Sequence, residues 1–116
     1  MIVSLKGMVT YHGVGFLIVE NAGIGFKLIV PEDHAHALHG EVALFTHEVI
    51  REDSRDLFGF LTVEALELFW KLIGVSGVGP KSAQKIVFAG EVEKVKEHIM
   101  AADVSFLTSV PGIGKK

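Results

Sequence analysis

The chain has 116 residues, 49% of them hydrophobic and 22% charged, which excludes a disordered or fibrous chain and allows one domain or two small ones. It has no cysteine, so disulfides and thiolate metal sites are excluded, and a cytosolic location fits. The net charge of −3 is unevenly spread: residues 1–62 hold four basic and eight acidic side chains, and residues 63–116 hold seven lysines and six acids, so the negative total does not exclude an anionic partner.

The first half reads as β structure. VSLKGMVTY, GFLIVE, GFKLIV, VALFTHEVI and RDLFGFL are short apolar or alternating runs rich in Val, Ile, Phe and Leu. Turn signals part them at His12-Gly13, at Asn21-Ala22-Gly23 and near Asp53-Ser54. Pro31 ends the third run, and EDHAHALHG predicts one or two helical turns. Five short strands with one small helix predict a closed oligonucleotide-binding (OB) barrel over residues 1–62, because closure removes exposed edges.

Residues 63–116 read as all-α. TVEALELFWKLIG places Val63, Leu66, Phe69, Trp70 and Ile73 at helical spacing, with Thr62 as N-cap and Gly74 as stop. Trp70 is expected in the core or between domains. A second helix is predicted over KSAQKIVFAG, a third over EVEKVKEHIMAAD and a fourth over DVSFLTSV, capped by Asp103. No apolar run is long enough to cross a membrane. The N-terminus, MIVSLKGMVTYHG, has no apolar core or cleavage pattern, so no signal peptide is expected.

An internal repeat appears at an offset of 35 residues: Leu72, Val75, Gly77, Gly79 and Lys81 match Leu107, Val110, Gly112, Gly114 and Lys116. Val78 matches Ile113. The first copy, GVSGVGPKS, nearly fits the nucleotide loop GxxxxGK[ST], but Pro80 takes the lysine position and a helix, not a strand, precedes it. The dinucleotide pattern GxGxxG fails because Ser82 replaces its third glycine. A helix–hairpin–helix fits better. Two glycines around one apolar residue allow a tight turn with positive φ, Val78 or Ile113 anchors it, and Pro80 suits the first helical position. Backbone amides and the helix N-terminus then form an anion site, with Lys81 adding a charge. Amides hold phosphate without reading bases. Two such hairpins related by a pseudo-two-fold suit the two strands of a duplex.

Other features read plainly. Glu52 and Asp53 are expected at a hairpin tip, where a solvated turn is the default. A metal-dependent nuclease using Glu52, Asp53 and Asp56 would need a further acid or base at fitting spacing, and the sequence offers none. In HAHALH only His36 and His39 are near neighbours on a helix, so exposed polar residues are expected there rather than a metal site. No catalytic constellation and no cofactor are expected.

The N-terminal MIxxLxG, then FTHEVIREDSRDLFGF, GVSGVGPKSAQKI and VPGIGKK, in order and along the whole chain, closely resemble the RuvA family. These bacterial proteins bind Holliday junctions, the four-way DNA intermediates of recombination and repair. GVGPK alone marks only a hairpin; with THxxxRED and LxGF the pattern is specific. The resemblance implies an OB barrel that forms a homotetramer, or an octamer, followed by a tandem helix–hairpin–helix domain. It implies phosphate contacts at Gly77, Val78, Gly79, Lys81, Ser82, Gly112, Ile113, Gly114, Lys115 and Lys116. Glu52 and Asp53 match the family's central acidic pin, which reverses their default reading: eight carboxylates near a symmetry axis would hold strands apart and disfavour plain duplex. Catalysis would belong to a RuvB-like ATP-driven motor that performs branch migration. The family's motor-binding module and the helix after PGIGKK are not in these 116 residues, so the second hairpin is expected to be truncated and motor recruitment absent. The competing readings are a generic duplex-binding hairpin module and an oligomeric scaffold whose hairpins are mere connectors.

Overall fold

The computed structural model describes residues 1–75 and 77–89. The chain divides into two compact units, Met1–Val63 and Glu64–Lys116.

The first unit is a closed five-stranded barrel in the order β1-β2-β3-β5-β4, with β4 returning to β1. Its strands are β1 (Ser4–Gly13), β2 (Phe16–Asn21), β3 (Ile24–Ile29), β4 (Glu41–Ile50) and β5 (Arg55–Phe60). Strand β1 serves two neighbours: its first half pairs with β4 from Ser4↔Phe45 to Met8↔Glu41, and its second half with β2 up to Gly13↔Phe16. A register shift between Val9 and Tyr11 bends the strand where it changes partner, as bulges do. Gly7 sits at this crossing; a Cβ there would run into the Glu20 carbonyl oxygen.

The β1–β2 turn lies two residues later than the expected His12-Gly13. His12 pairs with Leu17 and Gly13 with Phe16, so Val14 and Gly15 make the turn, with Gly15 at φ 80°. Gly13 is needed for space instead, since the Phe16 ring lies over it. The Asn21-Ala22-Gly23 signal is met by a two-residue turn in which Ala22 and Gly23 both have positive φ (52° and 81°), the backbone that a tight hairpin requires. After Val30, Pro31 starts the single turn α1 (Glu32–Ala35), whose amides at His34 and Ala35 bond the Pro31 carbonyl at 2.9 Å. The crossover through α1 and β4 lets β3 and β5 run parallel, at Leu28↔Leu57 and Ile29↔Phe58.

Alternation places Leu17 and Val19, Leu28 and Val30, Leu44, and Phe58 inside the barrel, with Leu5 and Phe60. Each such side chain stabilises by about 1.5–3 kcal/mol relative to exposure. Thr46 is buried among them without loss: its hydroxyl donates to the Ile2 carbonyl at 2.7 Å and its amide to Val3 at 2.9 Å. These bonds tie the start of the chain to β4.

In the second unit the described helices are α2 (Val63–Ile73) and α3 (Pro80–Ala89). Helix α2 buries Ala65, Leu66, Leu68, Phe69 and Leu72. The expected stripe is therefore rotated. Trp70 is not a core residue but remains 41% exposed, and so does Val63. Helix α3 buries Ala83, Gln84, Ile86 and Val87. The expected third and fourth helices and the second hairpin lie outside the described residues.

Candidate nucleic-acid interface

The first hairpin is built from a helix end, one left-handed glycine and a proline-started helix. Beyond Ile73, the amides of Gly74 and Val75 bond back to Lys71 and Leu72 at 3.3 and 3.0 Å. The Val78 amide reaches the Val75 carbonyl at 3.2 Å, closing the turn. Gly77 holds φ 86°, a conformation that costs an L-residue about 1–2 kcal/mol. Of the two glycines expected to allow positive φ, only Gly77 uses it: the φ of Gly79 is not positive, and a Cβ there would meet nothing within 4 Å. Its carbonyl accepts the first helical bond of α3, from Ala83 at 2.9 Å. Pro80 has no amide to leave unpaired at that position.

Gly77, Gly79 and Lys81 are exposed, while Val78 and Ser82 are half-buried. Val78 thus anchors the turn only in part. Lys71 and Lys85 are exposed as well, and no acid occurs between Leu68 and Ala89 in this stretch. The surface around the turn is positive. Gly112, Ile113, Gly114, Lys115 and Lys116 lie outside the described residues.

The second candidate feature belongs to the barrel. Strands β4 and β5 end at the pair Ile50↔Arg55, and the loop between them is closed by the Arg51 amide donating to the Ser54 carbonyl at 2.8 Å. Glu52 and Asp53 are exposed at its tip. Ile50 beside them is 64% exposed. Two strand residues fix this hairpin and escape reading from sequence. The Arg55 guanidinium donates to the Glu48 carboxylate through Nε at 3.1 Å and through a second nitrogen to the same oxygen. That bond holds the Glu48 carboxyl below the usual carboxylate range, against the opposing effect of its burial. Burial pushes the neighbouring His47 imidazole down. The available signal was parity: Glu48 faces Leu57, so Arg55 is its diagonal neighbour on one face.

The histidines separate. His12 on β1 bonds the Leu38 carbonyl through Nε2 at 2.7 Å, and its ring centroid is 5.1 Å from that of His39. His36, just past the end of α1, faces Glu32 at 3.7 Å. Among the described residues no group of three or more His, Cys, Asp or Glu could hold a metal ion.

Comparison with known proteins decides the kinship. Residues 1–59 match the model described as the RuvA N terminal domain. The chain belongs to the RuvA family. Residues 69–116 match a SAM-like helix-hairpin-helix tandem, so this RuvA-family chain is an OB-like barrel followed by a helix–hairpin–helix domain. Among its relatives, the Holliday junction branch migration complex subunit RuvA of Bacillus velezensis is 38% identical over 100% of this chain and 58% of its own length. The protein of the same name from Chloroflexus aggregans is 42% identical over 100% of this chain and 61% of its own length. That from Acholeplasma laidlawii is 40% identical over 97% and 60%. The chain thus spans about three fifths of these RuvA relatives.

Proposed function

We propose that this chain binds four-way (Holliday) junction DNA by its structure and performs no chemistry itself. It serves as the DNA-binding platform for a RuvB-like, ATP-driven motor in branch migration during bacterial recombination and repair. The observation that carries the reading is the turn from Gly77 to Ser82. A left-handed glycine delivers the chain into a proline-started helix with an exposed lysine in its first turn. First-turn amides have no partner within a helix, and the helix dipole adds partial positive charge there. A backbone phosphate is the anion that such a surface takes on DNA. Gly79 supports the same reading: neither φ nor crowding in the described structure requires a glycine, but a phosphate approaching the turn does. In this account Gly77, Val78, Gly79, Lys81 and Ser82 hold one strand, and Gly112, Ile113, Gly114, Lys115 and Lys116 hold the other.

Junction preference comes from the barrel. Four copies in a homotetramer, or eight in an octamer, bring Glu52 and Asp53 of each subunit to the crossover, where their charge repels phosphates and opposes continuous duplex. The names of the relatives, which place them as subunits of a Holliday junction branch migration complex, support the substrate and a role within a larger complex. The proposed setting is the cytoplasm; no helix among the described residues is long and apolar enough to cross a membrane.

Labelled junction incubated with the protein and magnesium should be bound and remain intact. Lys81→Glu should weaken binding by about tenfold or more, and the salt dependence of wild-type binding should be steep because phosphate contacts release counterions. Cleaved junction, or a band shift indifferent to Lys81→Glu, would overturn the proposal.

A further inference from the structure

The acidic loop carries a contradiction in its sequence. In REDSR, Glu52 and Asp53 are flanked by Arg51 and Arg55, so these four charges sum to zero, and Asp56, the next residue along β5, adds one acid. Cations that pair with the tip carboxylates weaken their repulsion of phosphate. We infer that Glu48 is a positioning residue that takes up the Arg55 guanidinium and so keeps it from neutralising Glu52 and Asp53. The inference rests on the reading of those two carboxylates as the charge that disfavours plain duplex.

The geometry argues it through. Glu48 lies inside β4, diagonal to Arg55 and on the side away from the loop, because Arg55 pairs with Ile50 and Glu48 with Leu57. Reaching Glu48 therefore turns the arginine back along the hairpin. Two guanidinium nitrogens converge on one carboxylate oxygen. The Glu48 side chain is only 6% exposed while that of Arg55 is 67% exposed, so the arginine covers a carboxylate that is buried beneath it. A buried carboxylate is costly unless paired. It therefore holds its cation more firmly than an exposed loop acid could, since exposed pairs are weak and screened. With Arg55 engaged, Arg51, Glu52 and Asp53 leave the tip at −1. If Arg55, next to Ser54, were released, it would reach the loop and cancel the charge of one tip acid.

A purely structural pair and a charge-sequestering pair predict opposite patterns. If the pair only braces the hairpin, Glu48→Gln and Arg55→Gln act alike. If it sequesters charge, Glu48→Gln frees the cation and lowers the junction-over-duplex binding ratio by up to about fivefold. Arg55→Gln leaves that ratio at or above wild type, and Glu48→Gln has no further effect in the Arg55→Gln background. Glu41→Gln, the same charge change at the other end of β4, controls for net charge. The doubly neutral E52Q/D53N protein sets the lower limit of the ratio. A readout without DNA is the NMR signal of the Arg55 Nε proton. It should be hydrogen-bonded in the wild type and should gain contacts to the Glu52 and Asp53 side chains in Glu48→Gln. Parallel behaviour of the two single variants, or an Arg55 signal unmoved by Glu48→Gln, would overturn the inference. A wild-type protein without junction preference would instead refute the proposed function, and the NMR signal would still decide where Arg55 goes.

Discussion

Gly77 and Gly79 flank Val78 for different reasons. Gly77 has φ 86°, so Gly77→Ala should cost about 1–2 kcal/mol and lower the melting temperature by several degrees. Gly79 has ordinary φ and open space where a Cβ would stand, so Gly79→Ala should cost only about 0.5–1 kcal/mol as a capping penalty. On the proposed function its larger effect should fall on DNA binding, because the methyl group would occupy the proposed approach of a phosphate. Thermal unfolding alongside junction band shifts separates the two. Full binding by Gly79→Ala would contradict close approach of DNA at this turn. The pattern GVG shows that a turn is needed but not which glycine carries the strained φ. That choice depends on where helix α3 begins, at Pro80.

Strand β4 brings two titrating groups together at the element scale. The hydrogen bond from Arg55 favours ionised Glu48, so this stability is present above its ordinary value of 4.5 and is lost as pH falls through the lowered folded value. Burial favours neutral His47, so below its ordinary value of 6.5 the unfolded chain takes the proton first and stability falls. Both effects have the same sign. The urea midpoint should drop between about pH 7.5 and pH 5 through His47, and further in stronger acid through Glu48. Arg55→Gln should flatten the acid limb and leave the His47 limb. A midpoint that is constant down to about pH 5 would contradict the burial of His47.

Elements of this kind were legible to different depths. The five strands follow from alternation and from turn residues such as Asn21-Ala22-Gly23, and barrel closure follows from their number and length. The helix face was not legible. In VEALELFWKLI most positions are apolar, so several stripes fit one helix, and packing selects Leu68 and Leu72 over Trp70. The first hairpin turn was misplaced because Gly13 looks like a turn residue, whereas it makes room for the Phe16 ring. The Glu48–Arg55 pair is invisible until the β4–β5 register is known. The loop carboxylates could be seen in the sequence, but a role for them came only from family resemblance.

Charge is divided unevenly along the whole molecule. Residues 1–62 carry an excess of four acids, while the acid-free stretch from Leu68 to Gly90 holds Lys71, Lys81 and Lys85. A chain that joins an acidic segment to a lysine-bearing, acid-free one makes little sense for a uniform duplex, which presents phosphate everywhere. It suits DNA that presents phosphate to the hairpins and an opening to the acids. The proposed tetramer meets that requirement by placing the acids around one axis and the hairpins along the arms. The most direct test is a competition band shift of four-way junction against linear duplex of equal length and composition, with the mass of the complex determined in parallel. The account predicts that excess duplex fails to displace the junction and that the complex contains four or eight protein chains. Equal competition by duplex, or a complex with a single chain, would contradict it.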